Sequence, residues 1–212
     1  MITYAYIDAS NLFYGGKKTL GWSIDYEKLI KYLKFRFDAS NVYYFGGIEI
    51  SGYKFDYMIN DTVDLNALKL HLLERIDSYK KDTLDKVVVG LNHHLKQVRF
   101  YQKLEKFGYQ LFLKPVKIYT DDAGNKKRKA NCDVEMTFYL MHHKSEFERI
   151  VILSGDGDFL SVLKYLRNIE NKEIFILASG SRTSMEIRRF VGNKFTDILN
   201  LKDCIEISEE HI

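Results

Sequence analysis

Residues 150–159 read Ile150-Val151-Ile152-Leu153-Ser154-Gly155-Asp156-Gly157-Asp158-Phe159. A continuous apolar run of mostly β-branched residues is typical of a buried parallel strand. In open α/β sheets, binding sites lie just beyond the carboxyl ends of such strands. Two carboxylates in one glycine-containing turn repel each other unless a cation, a proton or solvent relieves them. The stretch therefore predicts an α/β fold with a divalent metal site at the carboxyl edge of its sheet.

The composition is that of one globular domain. The 212 residues are 46% hydrophobic and 29% charged, and a single proline leaves no obvious linker, so we expect one domain over 1–212. The first residues lack the features of a signal peptide, and no apolar run reaches the ~18 residues of a membrane span. Cys132 and Cys204 form no CxxC pair, which argues against a disulfide framework or a zinc cluster. These features predict a cytoplasmic protein that makes no membrane contact.

Short apolar strands and amphipathic helices alternate along the chain. Strands are expected at 2–7, 42–45, 109–119, 149–153, 173–177 and 195–199. Helices are expected at 25–37, 62–79, 95–107, 132–143, 159–169 and 183–191. The apolar run at 86–91 fits either a strand or the opening of a helix. Such alternation implies βαβ crossovers and a mostly parallel sheet covered on both faces.

The basic residues are unevenly distributed. Residues 114–129 carry six Lys or Arg and two Asp, a net charge of +4, whereas the other residues sum to −1. Beyond the strand at 109–119 we expect a loop, and the basic segment is either a solvated charged surface or one that contacts phosphate. It ends just before a candidate site residue, Asp133, which favours phosphate contact. The basic residues concerned are Lys126, Lys127, Arg128 and Lys129.

Four aspartates fall where loops and helix starts are expected. Asp8 ends the first predicted strand and is followed by a predicted loop, Asp156 and Asp158 follow the strand at 149–153, and Asp133 opens a helix. If the two strands are neighbours at a topological switch point, their loops face one crevice. Asp133 is equally well explained as a helix cap. Convergence of all four favours a site for Mg²⁺ or Mn²⁺, because hard cations prefer carboxylate oxygens.

Three motifs carry a family resemblance. They are Ile7-Asp8-Ala9-Ser10-Asn11, Lys129-Ala130-Asn131-Cys132-Asp133-Val134-Glu135-Met136 and Leu153-Ser154-Gly155-Asp156-Gly157-Asp158-Phe159. In this order they resemble the NYN domains, a branch of the PIN-like nuclease superfamily that includes LabA-like proteins. The resemblance implies a PIN-like three-layer α/β/α sandwich with a mostly parallel central sheet. It also implies a ribonuclease site whose catalytic, metal-binding carboxylates are Asp8, Asp133, Asp156 and Asp158.

The resemblance further implies roles for neighbouring polar residues. Asn11 and Ser154 would hold the site or the scissile phosphate by hydrogen bonds, and Lys129 would contact phosphate. The chain departs from the family pattern where Asn131-Cys132 replaces the usual glycine before the helix aspartate. The segment around 56–110 is longer than the family's core and is predicted to be a helical insertion.

The function that follows is a metal-dependent endoribonuclease that cuts single-stranded or loop RNA with Mg²⁺ or Mn²⁺. The alternative is a weakly active or inactive RNA-binding or regulatory module, and a homo-oligomer or a protein partner is compatible with either. Tyr14 and Trp22, in the segment after Asp8, are candidates for base stacking, although most aromatic residues in such patterns belong to the core. Arg182, after the strand at 173–177, is a candidate for phosphate contact.

Two other enzyme classes use a similar acidic turn. Haloacid-dehalogenase-like phosphatases need an Asp-x-Asp after the first strand, whereas Asp8 is followed by Ala9-Ser10. Toprim domains need a glutamate at the end of that strand, where this chain has Asp8. Both classes are therefore disfavoured.

Overall fold

The structure, a computed structural model, describes residues 1–15, 21–79, 86–120 and 126–207; at 13–15, 119 and 126–129 it describes the backbone only. The described strands are β1 (Thr3–Asp8), β2 (Ala39–Ile48), β3 (Gln110–Pro115), β4 (Lys117–Thr120), β5 (Lys126–Lys129), β6 (Arg149–Leu153), β7 (Glu173–Ala178) and β8 (Phe195–Asp197). The described helices are α1 (Ala9–Gly15), α2 (Tyr26–Phe37), α3 (Leu65–Ser78), α4 (Lys86–Phe107), α5 (Asp133–His142), α6 (Leu160–Asn168), α7 (Met185–Val191) and α8 (Lys202–Ile205). Short 3₁₀ turns occur at Gly157–Phe159, Gly192–Lys194 and Ile198–Leu201.

Most expected elements are confirmed, and four local expectations are resolved or corrected. The residues after Asp8 form α1, so the expected loop is wrong. The ambiguous run at 86–91 is the beginning of the 22-residue helix α4. The expected strand at 109–119 is two strands that separate at Val116, because β3 pairs with β2 in the central sheet whereas β4 pairs with β5. The expected basic loop contains the antiparallel pair β4–β5.

The central sheet has its topological switch point between β1 and β6. Its strand order is β3-β2-β1-β6-β7-β8, and β1 pairs in parallel with both β2 and β6. The β6–β7 and β7–β8 pairings are also parallel. The chain moves outward from β1 to β3 in one direction and from β6 to β8 in the other. Such a reversal opens a crevice at the carboxyl ends of the two central strands.

Neighbouring tyrosines of β2 show that helices cover both faces of the sheet. The Tyr43 ring stacks on His143, which follows α5, with centroids 5.0 Å apart and planes at 23°. The next residue, Tyr44, packs edge-on against Tyr26 of α2 at 6.0 Å. Side chains of successive strand residues point to opposite faces. The predicted three-layer α/β/α arrangement with a mostly parallel sheet is therefore confirmed.

The helix α2 begins where its sequence signal predicts. Asp25 is extended and its Oδ1 accepts hydrogen bonds from the N–H groups of Glu27 at 2.9 Å and Lys28 at 3.1 Å. These bonds satisfy N–H groups that have no partner within the helix. A different helix, α4, ends at Phe107 and is followed by Gly108. The φ of Gly108 is 98°, a conformation that glycine adopts without steric cost.

The chain divides into two compact units. The first comprises Met1–Phe45, Phe107–Gln110 and Cys132–Ile212, and the second comprises Gly46–Lys106 and Leu111–Asn131. The second unit holds α3, most of α4 and the β4–β5 hairpin, with buried leucines on both helices. The assignment of 1–212 to a single domain and of 56–110 to an insertion stays a prediction. No helix within the described residues has the length and apolar character to cross a bilayer.

A histidine lies among the aromatic rings beneath α5. The Tyr6 hydroxyl and His143 Nδ1 are 3.0 Å apart, and the His143 ring also packs edge-on against Tyr4 at 5.9 Å. Burial lowers the pKa of His143 from its ordinary 6.5, with a partly offsetting influence from the Glu146 carboxylate and a reinforcing one from His142.

The lowered pKa of His143 predicts a pH dependence of stability. The unfolded chain binds a proton near pH 6.5 more readily than the folded chain does, so stability is lost as pH falls through 6.5. We expect the melting temperature of the wild type to drop between pH 7.5 and pH 5.5, and that of His143→Gln to drop less. Thermal melts of both proteins at the two pH values test this. Equal drops would contradict it.

Candidate active site

Asp8 is a buried carboxylate at the carboxyl end of β1. Every residue of β1 is buried, and Asp8 is 5% exposed. Its Oδ1 accepts hydrogen bonds from the Ser10 N–H at 3.0 Å, the Ser10 hydroxyl at 2.6 Å and the Asn11 N–H at 3.2 Å. These donors belong to the first turn of α1, so the carboxylate caps that helix. The chain itself therefore fixes the orientation of Asp8.

Ser154 joins Asp8 to the end of β6. Ser154 is buried, and its hydroxyl donates to Asp8 Oδ2 at 3.1 Å. The same Oγ accepts from the Asp156 N–H at 3.3 Å, and Asn11 Oδ1 accepts from the Gly155 N–H at 3.3 Å. Two hydrogen bonds therefore join the β1–α1 segment to the loop after β6 at the switch point, and a third lies within that loop.

Asp156 and Asp158 lie in the turn that follows. Asp156 is half-buried and its Oδ1 accepts from the Asp158 N–H at 3.0 Å, which caps the 3₁₀ turn Gly157–Phe159. Asp158 is exposed. One oxygen of Asp156 thus has a local structural role in the turn after β6.

Asp133 opens α5, on the face of the sheet to which Asp8 belongs. The residue at the N-cap is Cys132, which makes no side-chain capping bond, and Asp133 is the first residue of the helix, where a negative charge is favourable. Tyr139 of α5 packs on Phe45 of β2, with ring centroids 5.9 Å apart. Phe45 is the residue that lies opposite Asp8 in the β1–β2 pair. Asp133 lies six residues before Tyr139, which is about 9 Å along the helix axis at 1.5 Å per residue.

The structure does not gather the four aspartates into one cluster. Among the residues that the structure describes, no three His, Cys, Asp or Glu side chains are grouped as they would be to hold a metal ion. It brings together Asp8, Asn11, Ser154 and the backbone of the Asp156 turn. The metal site formed by all four aspartates stays a prediction.

The loop between β7 and α7 supports the Asp156 turn through Thr183 and Ser184, two residues that were not predicted from the sequence to belong to the site. A Cβ on Gly155 would lie 2.5 Å from Thr183 Oγ1 and 2.8 Å from Thr183 Cα, so the two loops are in direct backbone contact. The Ser184 N–H donates to the Gly155 carbonyl at 3.0 Å, and the Ser184 hydroxyl caps α7 through the Ile187 N–H. The sequence signal was the Thr183-Ser184 pair immediately before a helix, which is a common capping pattern.

A further carboxylate lies at the same edge of the sheet. Asp197 ends β8 and is half-buried. A Cβ on Gly180, after β7, would come within 2.3 Å of Asp197 Oδ2, so the carboxylate rests directly against the glycine backbone. Its Oδ1 accepts from the Leu199 N–H at 3.0 Å. The position of Asp197 at a strand end was not predicted from the sequence, because the strand predicted there runs to 199, whereas β8 ends at Asp197.

The remaining sequence candidates are placed as follows. Arg182 is exposed in the loop after β7, and its N–H donates to the Ser179 carbonyl at 3.1 Å. Trp22 is 7% exposed, so stacking on a base would require its ring to become accessible. The side chain of Tyr14, whose backbone belongs to α1, lies outside the part that the structure describes. The side chains of Lys126, Lys127, Arg128 and Lys129, which form β5, also lie outside it.

Comparison with known proteins identifies the family. The model of the NYN domain matches residues 3–199. The chain belongs to the NYN domain family. This confirms the resemblance drawn from the three motifs, all of which fall within the matched residues.

NYN relatives with similar chains include "Low amplitude and bright protein LabA" of Synechococcus elongatus (strain ATCC 33912 / PCC 7942 / FACHB-805). It is 22% identical over 208 residues, which covers 96% of this chain and 87% of that protein. A similar solved structure is a protein of unknown function, VPA0982, from Vibrio parahaemolyticus RIMD 2210633. It has a TM-score of 0.60 at 17% identity, covering 97% of this chain and 95% of that chain, and it supports the fold alone.

Proposed function

We propose that this NYN protein is a metal-dependent endoribonuclease. The observation that carries the proposal is the hydrogen bond between Asp8 and Ser154 at the topological switch point. It fixes the buried carboxylate of Asp8 next to the turn that contains Asp156 and Asp158. Rigid placement of charged groups in a partly dry crevice is what phosphoryl-transfer chemistry requires of a protein. Membership of the NYN family supports the same assignment.

The carboxylate oxygens at this edge of the sheet are the kind of ligand that a hard divalent cation prefers. Asp8 Oδ1 accepts three hydrogen bonds. Asp8 Oδ2 accepts one, from the Ser154 hydroxyl, and a carboxylate oxygen can also bind a cation through its second lone pair. We assign Asp8 and Asp156 as the residues that would hold Mg²⁺ or Mn²⁺, with Asp133 and Asp158 as proposed further ligands. When bound, such a cation supplies Lewis-acid stabilisation of a phosphate that water attacks.

The residues around Asp8 have positioning roles in this proposal. The Ser154 hydroxyl orients Asp8 Oδ2, and the Asn11 amide oxygen holds the Gly155 N–H, which fixes the backbone immediately before Asp156. Orientation of the carboxylates by their own hydrogen bonds removes the need to rearrange them as the reaction proceeds. Arg182 is a proposed contact for the substrate phosphate, because it is exposed in the loop after β7.

We infer RNA, in single-stranded or loop regions, as the substrate. The basic strand β5 supports this, since phosphate neutralisation by Lys and Arg supplies much of the affinity for nucleic acids. The test is incubation of a labelled single-stranded RNA with the purified protein in Mn²⁺, and in parallel in excess EDTA. Shortened products in Mn²⁺ and none in EDTA are expected. Equal cleavage in EDTA would overturn the metal mechanism, and a DNA strand of the same sequence tests the choice of nucleic acid.

Neutralising the basic strand should weaken RNA binding and flatten its salt dependence. Replacement of Lys126, Lys127, Arg128 and Lys129 by glutamine removes four positive charges. Each phosphate contact on a single strand contributes about −0.7 to the slope of log K against log salt, so the slope should become shallower by up to about three. Fluorescence anisotropy at several salt concentrations measures it. An unchanged slope would make β5 a solvated surface without phosphate contacts.

A second candidate function is a regulatory RNA-binding module without cleavage. The observation that favours it is that the described residues contain no group of three metal-ligating side chains. The two candidates separate in the same assay. Retained RNA binding without products at saturating Mn²⁺ would favour the module, and metal-dependent products would favour the nuclease.

A further inference from the structure

One turn of the second unit exposes three consecutive large apolar side chains. Tyr57, Met58 and Ile59 are 51%, 92% and 78% exposed. Asp56 shapes this turn, because its Oδ1 accepts from the Met58 N–H at 2.8 Å and its backbone carbonyl accepts from the Asn60 N–H at 3.0 Å. A contiguous apolar patch on an ordered turn is a common mark of an interaction site. We refer to residues 55–60 as the Tyr57 turn.

The Tyr57 ring is held by two neighbours. Phe55 packs edge-on against it, with centroids 4.8 Å apart and planes at 86°. Lys117, the exposed first residue of β4, places its Nζ 5.2 Å from the centre of the Tyr57 ring. This cation–π contact joins the exposed aromatic ring to the β4–β5 hairpin.

The hairpin beside the Tyr57 turn is strongly basic. The eight residues of β4 and β5 include five Lys or Arg and no Asp or Glu. Lys117 of β4 lies opposite Lys129 of β5 in the antiparallel pair, so each strand contributes a basic residue at this position. An accessible aromatic ring beside a concentrated positive charge is the combination that single-stranded nucleic acids bind, through base stacking and phosphate contacts.

We propose that the Tyr57 turn is a base-stacking subsite for single-stranded RNA. This inference rests on the proposed function for the identity of the nucleic acid. A base stacks on the exposed part of the Tyr57 ring, Met58 contacts the next base, and Lys117 binds the intervening phosphate. Lysine is depleted in protein–protein interfaces, so a surface with Lys117 on its aromatic ring fits an RNA strand better than a protein partner.

The inference predicts a specific order of affinities. In EDTA, where the proposed nuclease is inactive, Tyr57→Leu should weaken binding of a fluorescent single-stranded RNA by about tenfold, because one stacked base is lost. Tyr57→Phe keeps the aromatic face and should bind more tightly than Tyr57→Leu. Lys117→Gln should make the salt slope shallower by about 0.7. Circular dichroism melts confirm that each variant is folded.

Cross-linking locates the contact independently. RNA containing 4-thiouridine is irradiated with the wild-type protein, which is then digested with trypsin. The peptide that spans residues 55–69 contains Tyr57 as its only tyrosine, and we expect it to carry cross-linked nucleotide. Absence of that peptide among the cross-links, with RNA attached elsewhere, would overturn the proposal.

The outcomes separate this inference from the proposed nuclease. If the wild type cleaves RNA and Tyr57→Leu binds RNA as tightly as the wild type does, the subsite is wrong and the proposed nuclease stands. Weakened binding by Tyr57→Leu, with no cleavage in Mn²⁺, would keep the subsite and overturn the nuclease. Failure of the wild type to bind RNA overturns the subsite. A change of self-association in Tyr57→Leu, with RNA affinity unchanged, would assign the turn to a protein interface.

Discussion

Asp156→Asn should abolish metal-dependent RNA cleavage while leaving the protein folded and able to bind RNA. Loss of a metal-ligating carboxylate removes several kcal/mol of transition-state stabilisation, so we expect the rate to fall by about a thousandfold or more. The asparagine oxygen can still accept from the Asp158 N–H, which lies 3.0 Å from Oδ1 in the wild type. The 3₁₀ turn should therefore persist. Single-turnover cleavage of labelled RNA in Mn²⁺ measures the rate.

The matched control is Asp203→Asn, which removes the same charge from an exposed position in α8. Its cleavage rate should equal that of the wild type. If Asp156→Asn cleaves at the wild-type rate, Asp156 has no catalytic role and the proposed site is wrong. If both variants lose activity equally, the effect arises from net charge and says nothing about the crevice.

Gly155→Ala should both destabilise the protein and impair cleavage. The added Cβ would lie 2.5 Å from Thr183 Oγ1 and 2.8 Å from Thr183 Cα. Thr183 cannot yield easily, because it is buried and its hydroxyl donates to the Ser179 carbonyl at 2.7 Å. Forcing atoms into such a contact costs about 1–3 kcal/mol, or roughly 2–12 °C in melting temperature for a chain of this size. Displacement of the adjacent Asp156 by about 1 Å should cost roughly a hundredfold in rate.

Gly90→Ala is the control for this substitution. Gly90 lies inside α4, and a Cβ there has no atom within 4 Å. Alanine favours a helix over glycine by about 1 kcal/mol, so this variant should be as stable as the wild type or slightly more so. Thermal melts and cleavage rates of both variants test the prediction. A Gly155→Ala protein that melts and cleaves like the wild type would show that contact with Thr183 does not position the Asp156 turn.

Much of the sheet could be predicted because its strands carry strong local signals. The run at 150–153 is apolar throughout, as a strand buried on both faces must be, and the structure pairs it with β1. The place of Asp8 and Asp156 at the carboxyl ends of β1 and β6 follows from the same signals. The start of α2 at Asp25 was likewise predicted correctly, because capping depends on residues that are adjacent in sequence.

The errors occurred where local signals were weak or misleading. The helix α1 has seven residues and ends at Gly15, which is too short for an apolar period to show. The strand β5 consists of Lys and Arg alone, so it has no alternation of apolar and polar residues. The apolar residues at the start of α4 are β-branched, which favours a strand reading.

The support given by Thr183 to Gly155 could not be predicted, since it joins two loops that only the parallel β6–β7 pairing brings together. The grouping of the four aspartates also depends on tertiary structure. Local capping bonds account for Oδ1 of Asp156 and Oδ1 of Asp8, whereas the position of Asp133 depends on how α5 packs on the sheet. Sequence spacing alone cannot give these distances.

Binding of a divalent cation by Asp8 and Asp156 is the central claim, and anomalous diffraction from crystals grown with Mn²⁺ tests it most directly. We predict a manganese peak within about 2.5 Å of Asp8 Oδ2 and of a carboxylate oxygen of Asp156, as for oxygen ligands of hard cations. The same peak should be missing from crystals of Asp156→Asn. Manganese peaks found only elsewhere on the molecule at saturating concentration, with Asp8 Oδ2 still bonded to Ser154 alone, would contradict the account.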